Sequence, residues 1–426
     1  MVAHLSPGLT GRRLYIPRMS DCAAEVMAAA FRAGGIDAVA LPPSDARTLE
    51  LGARYLAGEE CLPAKVTLGD FVKIIEGPAF DPKKTAFLMP TAEGPCRFGQ
   101  YAPYVRKVVR DLGHPEIPIV SPTFGNGYQQ EASAGVGLTR AVWRSLVASD
   151  ILRKLLLKTR PYEVHPGDTD AAYAQSLTEL CETVERPGRR PGEQLAALVT
   201  TLLRIRDRFR GIPARYTRER LLIGIQGEIF CRLNDFSNEQ LIRQLEGCGG
   251  EAWLSDISEW VWYCNGEQED GFRNTWRKRL SALLGAKVRD HIQHADEAAL
   301  RGLFAEDFRG YEDPADMDEI LRAGDAYLPH TTTSGEMVLS AGKVDYLFRK
   351  GVDGILDISP FSCMNGIVSE ALYPRQSQEH AGIPIKNFYF DGKGSDITQD
   401  LEIFLELARA YRRRKPHPRR YPPCFA

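Results

Sequence analysis

Short apolar segments that alternate with helical segments constrain the fold of this chain most strongly. In the first third of the chain, strand-like apolar runs cover residues 12–19, 36–43, 84–91 and 116–123. Ser20 or Asp21 is expected to cap a helix after the first run, and the glycines at 34–35 are expected to end it. Strands joined by helical crossovers pair in parallel, with right-handed connections. The pattern therefore predicts a parallel-sheet α/β lobe.

The same alternation returns after a long insertion. Residues 132–217 form a helical and charged stretch. Capping boxes then predict helices that begin at Ser237, with Gln240 in the third position, and at Thr333, with Glu336 in that position. Further strands are expected at 220–230, 251–258, 352–361 and 383–392. No internal repeat is recognisable in the sequence.

These elements predict two Rossmann-like α/β lobes with parallel sheets and inserted helices. Residues 1–131 are expected to form the first lobe, and residues 132–330 the helical insertion and the second lobe. Residues 331–426 show the same alternation of short apolar strands and helices as the first part of the chain, so we expect them to return to the first lobe. Ligands of parallel sheets bind beyond the carboxyl ends of the strands, which is where a site is expected.

Composition and charge narrow the class of protein. A net charge of −2 over 426 residues gives no general attraction to nucleic acid or to a membrane surface. The chain contains no apolar run of about 18 residues and no secretion-signal pattern at its start, so we expect a cytoplasmic protein. In a reducing compartment, its nine cysteines are expected to be thiols, metal ligands or redox groups.

Cys61, Cys96 and Cys363 share one setting, a turn that leads into a helical segment. Cys61 and Cys96 are 35 positions apart, Cys363 follows 267 positions later, and no Cys-x-x-Cys motif occurs. The spacing therefore supports neither a zinc ribbon nor a thioredoxin-type dithiol. A catalytic cysteine needs a base, whereas an iron–sulfur cluster takes thiolates from several loops. From the spacing alone, packing thiols and shared cluster ligands both remain open.

The motifs ECLPAK, GPCRFGQY, GEIFCRLNDFSN and PFSCMNGIVSEALYPR, in this order, resemble the 2-hydroxyacyl-CoA dehydratase and activase-related superfamily. Residues 12–412 carry the resemblance, which is nearest to the branch called acyl-CoA dehydratase activase-related protein. It implies that Cys61, Cys96 and Cys363 hold a [4Fe-4S] cluster between the lobes, with 331–426 completing the site. Some relatives carry a double cubane, [8Fe-9S]. The implied partner is an ATP-hydrolysing activase with its own cluster, in a homodimer or a hetero-oligomer.

Other residues have competing interpretations. Glu228, at the end of a strand-like segment, is a candidate catalytic carboxylate or a capping or salt-bridge residue. Cys231 is expected to continue that strand and Cys264 to lie in an irregular segment. The basic residues at 412–420 predict a solvated tail, with a docking site for an acidic electron donor or for CoA phosphates as the alternative. The remaining cysteines, expected to pack in helices or to be exposed in the tail, are Cys22, Cys181, Cys248 and Cys424.

The expected function is low-potential electron transfer or reduction driven by the ATPase partner. The chain has no Walker A sequence and no G-x-G-x-x-G after a strand, so we do not expect it to hydrolyse ATP itself. It would be a component of a reductase or dehydratase system. The alternatives are a non-catalytic electron-transfer subunit, an acyl-CoA dehydratase-like catalytic subunit and a cluster-free α/β binding or scaffold protein.

Overall fold

The structure, a computed structural model, describes residues 7–92, 94–122, 136–273, 280–314, 316–394 and 396–425. The chain divides into two compact units, each assembled from three stretches. Unit 1 comprises Met1–Asp150, Gln175–Ile205 and Cys264–Leu303. Unit 2 comprises Ile151–Ala174, Arg206–Tyr263 and Phe304–Ala426.

Each unit contains one four-stranded parallel sheet. The sheet of unit 1 has the order β2-β1-β3-β4, and its strands are β1 (Arg13–Ile16), β2 (Ala38–Ala40), β3 (Thr85–Leu88) and β4 (Ile119–Val120). The sheet of unit 2 has the order β6-β5-β7-β8, and its strands are β5 (Leu221–Gly227), β6 (Gly250–Leu254), β7 (Gly354–Pro360) and β8 (Ile385–Phe390). The prediction of two parallel-sheet α/β lobes is confirmed.

Helices make up most of the remaining regular structure. A short 3₁₀ helix at Arg97–Gln100 leads directly into the α-helix Tyr101–Asp111. The helices are α1 (Asp21–Ala33), α2 (Ala46–Ala53), α3 (Leu62–Ile75), α4 (Tyr101–Asp111), α5 (Val136–Thr159), α6 (Asp168–Glu185), α7 (Pro191–Arg210), α8 (Ile229–Leu233), α9 (Leu241–Gly247), α10 (Ile257–Arg273), α11 (Leu280–Arg301), α12 (Met317–Gly324), α13 (Glu336–Arg349), α14 (Met364–Glu379) and α15 (Thr398–Arg412). In the described part of the chain, no helix is both long and apolar enough to cross a membrane.

Local chemistry explains several of these boundaries. The Ser20 hydroxyl accepts a hydrogen bond from the backbone N–H of Ala23 and so caps α1, as the sequence predicts. Gly35, with φ 86°, follows the end of α1, where a left-handed residue terminates a helix. Every residue of β5, β6 and β7 is buried, which suits strands covered by helices on both faces of a parallel sheet.

The two sheets share one topology. In each unit the first strand lies between the second and third, and the fourth lies at the edge beside the third. The strand order reverses beside the first strand, so the switch points lie between β1 and β3 and between β5 and β7. The third strand is preceded by a packed helix pair in each unit, α2–α3 in unit 1 and α12–α13 in unit 2. The chain therefore contains a structural duplication that the sequence does not reveal.

Some predicted elements differ from the structure. The predicted capping boxes are wrong: α9 begins at Leu241 after Gln240 in the left-handed region, and α13 begins at Glu336 after Gly335. Cys231 lies in α8 because β5 ends at Gly227, and Cys264 lies in α10. Residues 331–426 carry β7 and β8, which pair in the second sheet instead of returning to the first. Residues 132–135, predicted to begin the insertion, lie outside the described residues.

The basic C-terminal segment is not a solvated tail. Arg419 is buried, and its guanidinium donates to the carboxylate of Glu251 at 2.7 Å. The Lys415 ammonium donates to Asp353 at 2.7 Å. The prediction of a solvated tail is wrong because these cations neutralise buried carboxylates of unit 2. A run of basic residues in the sequence does not show which of them have buried partners.

Candidate functional site

Cys61, Cys96 and Cys363 each occupy the N-cap position of a helix, with nearly the same backbone conformation. Their φ and ψ angles are −71° and 156°, −69° and 135°, and −69° and 125°, before α3, the 3₁₀ helix at Arg97–Gln100 and α14 respectively. All nine cysteines are thiols. The other six lie inside helices, at a helix C-terminus or in the C-terminal segment: Cys22, Cys181, Cys231, Cys248, Cys264 and Cys424.

An N-cap sulfur lies where backbone N–H groups of the first helical turn point outward. The backbone N–H of Phe98 donates to the Cys96 sulfur at 3.5 Å. Burial raises the pKa of the Cys363 thiol, as does the charge of Glu228, while the backbone N–H group of Gly366 acts in the opposite direction. The environment of Cys363 therefore favours a thiol unless a cation compensates its charge.

The segments that carry Cys61 and Cys96 contact each other within unit 1. The Tyr101 hydroxyl, in the first residue of α4, contacts the Cys61 sulfur. The Arg97 guanidinium donates to the backbone carbonyl of Glu59 at 2.5 Å. Cys96 therefore begins a segment whose next five residues supply both contacts to the segment before α3.

The third cysteine belongs to the other unit. Cys61 and Cys96 are residues of unit 1, and Cys363 is a residue of unit 2. Cys61 and Cys363 are each 7% exposed, and Cys96 is half-buried. Among the residues that the structure describes, no group of three or more His, Cys, Asp or Glu side chains is arranged to hold a metal ion. The three cysteines thus share the N-cap setting, two of them in unit 1 and one in unit 2.

A carboxylate pair lies at the switch point of the second sheet. Glu228 follows β5 and caps α8, because its two carboxylate oxygens accept the backbone N–H groups of Phe230 and Cys231 at 3.0 and 2.9 Å. The Glu336 carboxylate accepts the backbone N–H of Ile229 at 2.9 Å. Three consecutive N–H groups therefore bind two carboxylates, which places the carboxylates close together.

Proximity and burial affect how this pair ionises. Both side chains are half-buried. Burial, followed by the charge of Glu228, raises the pKa of Glu336 to about 8. Burial also raises the pKa of Glu228. Like charges in one small region disfavour double ionisation, so the pair retains a proton at neutral pH.

Buried polar groups surround the carboxylate pair. The guanidinium of Arg232 favours ionisation of Glu228 and Glu336, and it donates to the backbone carbonyl of Gly227 at 3.3 Å. Asp357, in β7, has a raised pKa because it is buried, and its carboxylate accepts the hydroxyl of Ser359 at 2.8 Å. The region therefore contains one arginine and three acids, each with a pKa that burial raises.

Sequence reasoning nominated Glu228 but missed its partner. The sequence pattern places Glu336 in a capping box and so does not point to a role beside Glu228. The available signal was its position: a helix that precedes a parallel strand begins at the sheet edge where β5 and β7 end. Glu228 is a helix cap in the structure, and its candidacy as a catalytic residue stays a prediction.

Replacing Glu336 with glutamine is expected to stabilise the protein increasingly as the pH rises from about 4.5 to about 8. The carboxyl holds its proton more tightly in the folded state, so its ionisation opposes folding throughout that window. Glutamine keeps an oxygen for the Ile229 N–H and carries no charge. Denaturant unfolding at several pH values measures the difference, with the exposed Glu402→Gln as the control. A difference that stays constant with pH would contradict the raised pKa.

Comparison with known proteins does not assign the chain to a family. No family model matches the chain, and no curated protein matches it. The chemistry of the site is therefore argued from its residues: helix-capping thiols that can serve as ligands, and a carboxylate pair that can hold or release one proton.

Proposed function

We propose that this chain is an iron–sulfur protein that binds a [4Fe-4S] cluster through Cys61, Cys96 and Cys363. The observation that carries the proposal is the shared setting of these cysteines at helix N-caps, with matching backbone angles. The positive end of a helix favours a thiolate ligand, and a bound iron would compensate the burial and the Glu228 charge that oppose the thiolate at Cys363. None of the other six cysteines has this position.

The donor set fits the chemistry of such a cluster. Thiolate sulfurs are its usual ligands, and hydrogen bonds to sulfur together with partial burial tune its potential. Cys61 and Cys363 are nearly buried, and an N–H group already contacts the Cys96 sulfur. When bound, the cluster supplies one-electron redox chemistry at low potential. The protein holds the ligands: Arg97 and Tyr101 fix the segment of Cys61 against that of Cys96.

The proposed role is low-potential electron transfer or reduction that depends on a partner. The sequence contains no Walker A motif and no G-x-G-x-x-G after a strand, so we assign ATP hydrolysis to another protein. That partner is an activase with its own cluster, as the motif resemblance implies. A homodimer or hetero-oligomer is part of the same proposal.

Anaerobic reconstitution with iron and sulfide tests the proposal directly. The wild-type protein is expected to bind about four irons per chain, with the visible and EPR spectra of a [4Fe-4S] cluster. Cys61→Ser, Cys96→Ser and Cys363→Ser should each lose most of this iron. Cys248→Ser and Cys424→Ser are matched controls outside the N-cap set and should retain it.

Each outcome of the reconstitution distinguishes the alternatives. About eight irons per chain would indicate a double cubane, [8Fe-9S], with further ligands. Equal iron loss in the controls would show that the three N-cap cysteines have no special role. No iron in a folded wild-type protein would overturn the cluster and leave a binding or scaffold protein.

A second candidate function is that of an acyl-CoA dehydratase-like lyase. The observation in its favour is the carboxylate pair, since a Glu336 that holds a proton at neutral pH can act as a general acid. With a 2-hydroxyacyl-CoA and an activase, turnover would fall in Glu336→Gln and Glu228→Gln while the iron content stays unchanged. Unchanged turnover in both variants would exclude a proton-transfer role for the pair.

A further inference from the structure

Unit 2 contains a small pocket that has no part in the cysteine or carboxylate sites. The pocket has room for about one water-sized particle. Helix α5 lines one side, and β6, Asp256 and Tyr311 line the rest. Three cationic side chains of α5, those of Arg153, Lys154 and Lys158, face this space, together with one carboxylate.

Lys158 differs from the other lysines buried in the described part of the chain. Lys154 contacts Asp313 and Asp256 at 2.5 and 3.2 Å, and Lys343 contacts Glu259. Lys158 is equally buried, yet within the described residues its ammonium contacts no carboxylate. It lies instead over the ring of Tyr216, 5.6 Å from the ring centroid. A buried ammonium without a counter-ion is costly, so Lys158 needs a compensating group.

The two carboxylates whose charge acts on Lys158, those of Asp307 and Glu251, are bound by other cations. Asp307 accepts both guanidinium hydrogen bonds of Arg210, at 2.8 and 2.9 Å. Glu251 is bound by Arg419. Lys158 also lies in the last turn of α5, where the helix carbonyl groups favour a positive charge. Burial lowers the pKa of the Lys158 ammonium, a cost that a bound anion would offset.

We propose that this pocket binds a small monovalent anion of halide size, with the Lys158 ammonium as its principal ligand. The Lys158 ammonium, which lies over the Tyr216 ring and has no carboxylate partner among the described residues, supplies the attraction, and the room for one water-sized particle sets the size limit. Tyr311 and Trp253 add aromatic surface to the lining, which disfavours larger, strongly hydrated anions. The site is independent of the proposed cluster, because none of the N-cap cysteines lines it.

Thermal unfolding in chloride and in gluconate at matched ionic strength tests the site. The melting temperature of the wild-type protein is expected to rise by about 1–2 °C for each tenfold increase in chloride above its dissociation constant. Gluconate, which is too large for the pocket, should give no such rise. Lys158→Met should remove the chloride response and should be at least as stable as the wild type in gluconate. Lys287→Met, at an exposed lysine, should respond to chloride as the wild type does.

A bromide-soaked crystal of the wild-type protein provides an independent measurement that does not depend on any variant. An anomalous peak within hydrogen-bond distance of the Lys158 nitrogen is the expected result. A water molecule at that position with no bromide peak would overturn the proposal. The same conclusion would follow if Lys158→Met and the wild type had equal chloride responses.

Discussion

Replacing Arg419 with alanine should lower the free energy of unfolding by about 3–5 kcal/mol, because it leaves a carboxylate buried without its cation. Glu251 is fully buried, and its carboxylate binds the Arg419 guanidinium and the hydroxyls of Tyr162 and Tyr311. Removing the guanidinium leaves two phenols as the remaining partners, and they cannot neutralise the charge. The side chain also lies against the rings of Tyr311, Tyr421 and Phe425, so packing is lost as well.

Denaturant unfolding of four variants separates charge from packing: Arg419→Ala, Arg420→Ala, Glu251→Gln and the double variant Arg419→Ala with Glu251→Gln. Arg420→Ala, at the exposed neighbouring position, is the matched control and should change stability by less than about 0.5 kcal/mol. Combining Arg419→Ala with Glu251→Gln should cost less than the sum of the single changes, because no buried charge remains. A loss below about 1 kcal/mol in Arg419→Ala would contradict a buried ion pair as the anchor of the C-terminal segment.

The fold class could be predicted because it depends on local alternation. Apolar runs at 12–19, 36–43 and 84–91 contain β1, β2 and β3, and Ser20 caps the helix expected between the first two. The boundaries of the units could not be predicted, since residues 331–426 pair with β5 through β7. Nothing local to these residues specifies which of two similar sheets they join.

Only part of the candidate site could be predicted from the sequence. The settings of Cys61, Cys96 and Cys363 at helix starts follow from local signals, namely turns followed by amphipathic segments. Glu336 and Lys158 were missed because their importance arises from burial beside particular neighbours, which a linear pattern does not encode. The same reason explains why the segment 412–420 was interpreted as a solvated tail.

The duplication is not visible in the sequence because the two units share a strand order and a helix crossing at glycine, while the side chains beside the crossing differ. The helix pairs α2–α3 and α12–α13 both cross at glycine. The next residue is Asp70 in α3, which accepts the hydroxyls of Ser44 and Thr48, and Lys343 in α13, which pairs with Glu259. Asp70 and Lys343 follow the two crossing glycines but carry opposite charges, so the sequences around the crossings do not look alike. What the units share is the close approach of two helices, and that approach can be tested.

Substituting alanine for Gly69 or for Gly342 should destabilise the protein by at least about 1–3 kcal/mol, and by similar amounts at the two sites. A methyl group at Gly69 would lie 1.9 Å from the carbonyl oxygen of Thr48, and one at Gly342 would lie 1.9 Å from that of Ile320. Both neighbours are backbone atoms of a packed helix, so the helices must separate to admit the methyl group. Separation would expose apolar surface along each crossing.

Gly247 in α9 provides the matched control. A methyl group there meets no atom within 4 Å, so Gly247→Ala should leave stability unchanged or raise it by up to about 1 kcal/mol. Thermal and denaturant unfolding of the three variants measure the comparison. If Gly69→Ala and Gly342→Ala cost no more than Gly247→Ala, the crossings are looser than the structure indicates. If only one of Gly69→Ala and Gly342→Ala is destabilising, the two helix pairs are not equivalent, and the duplication is confined to strand order.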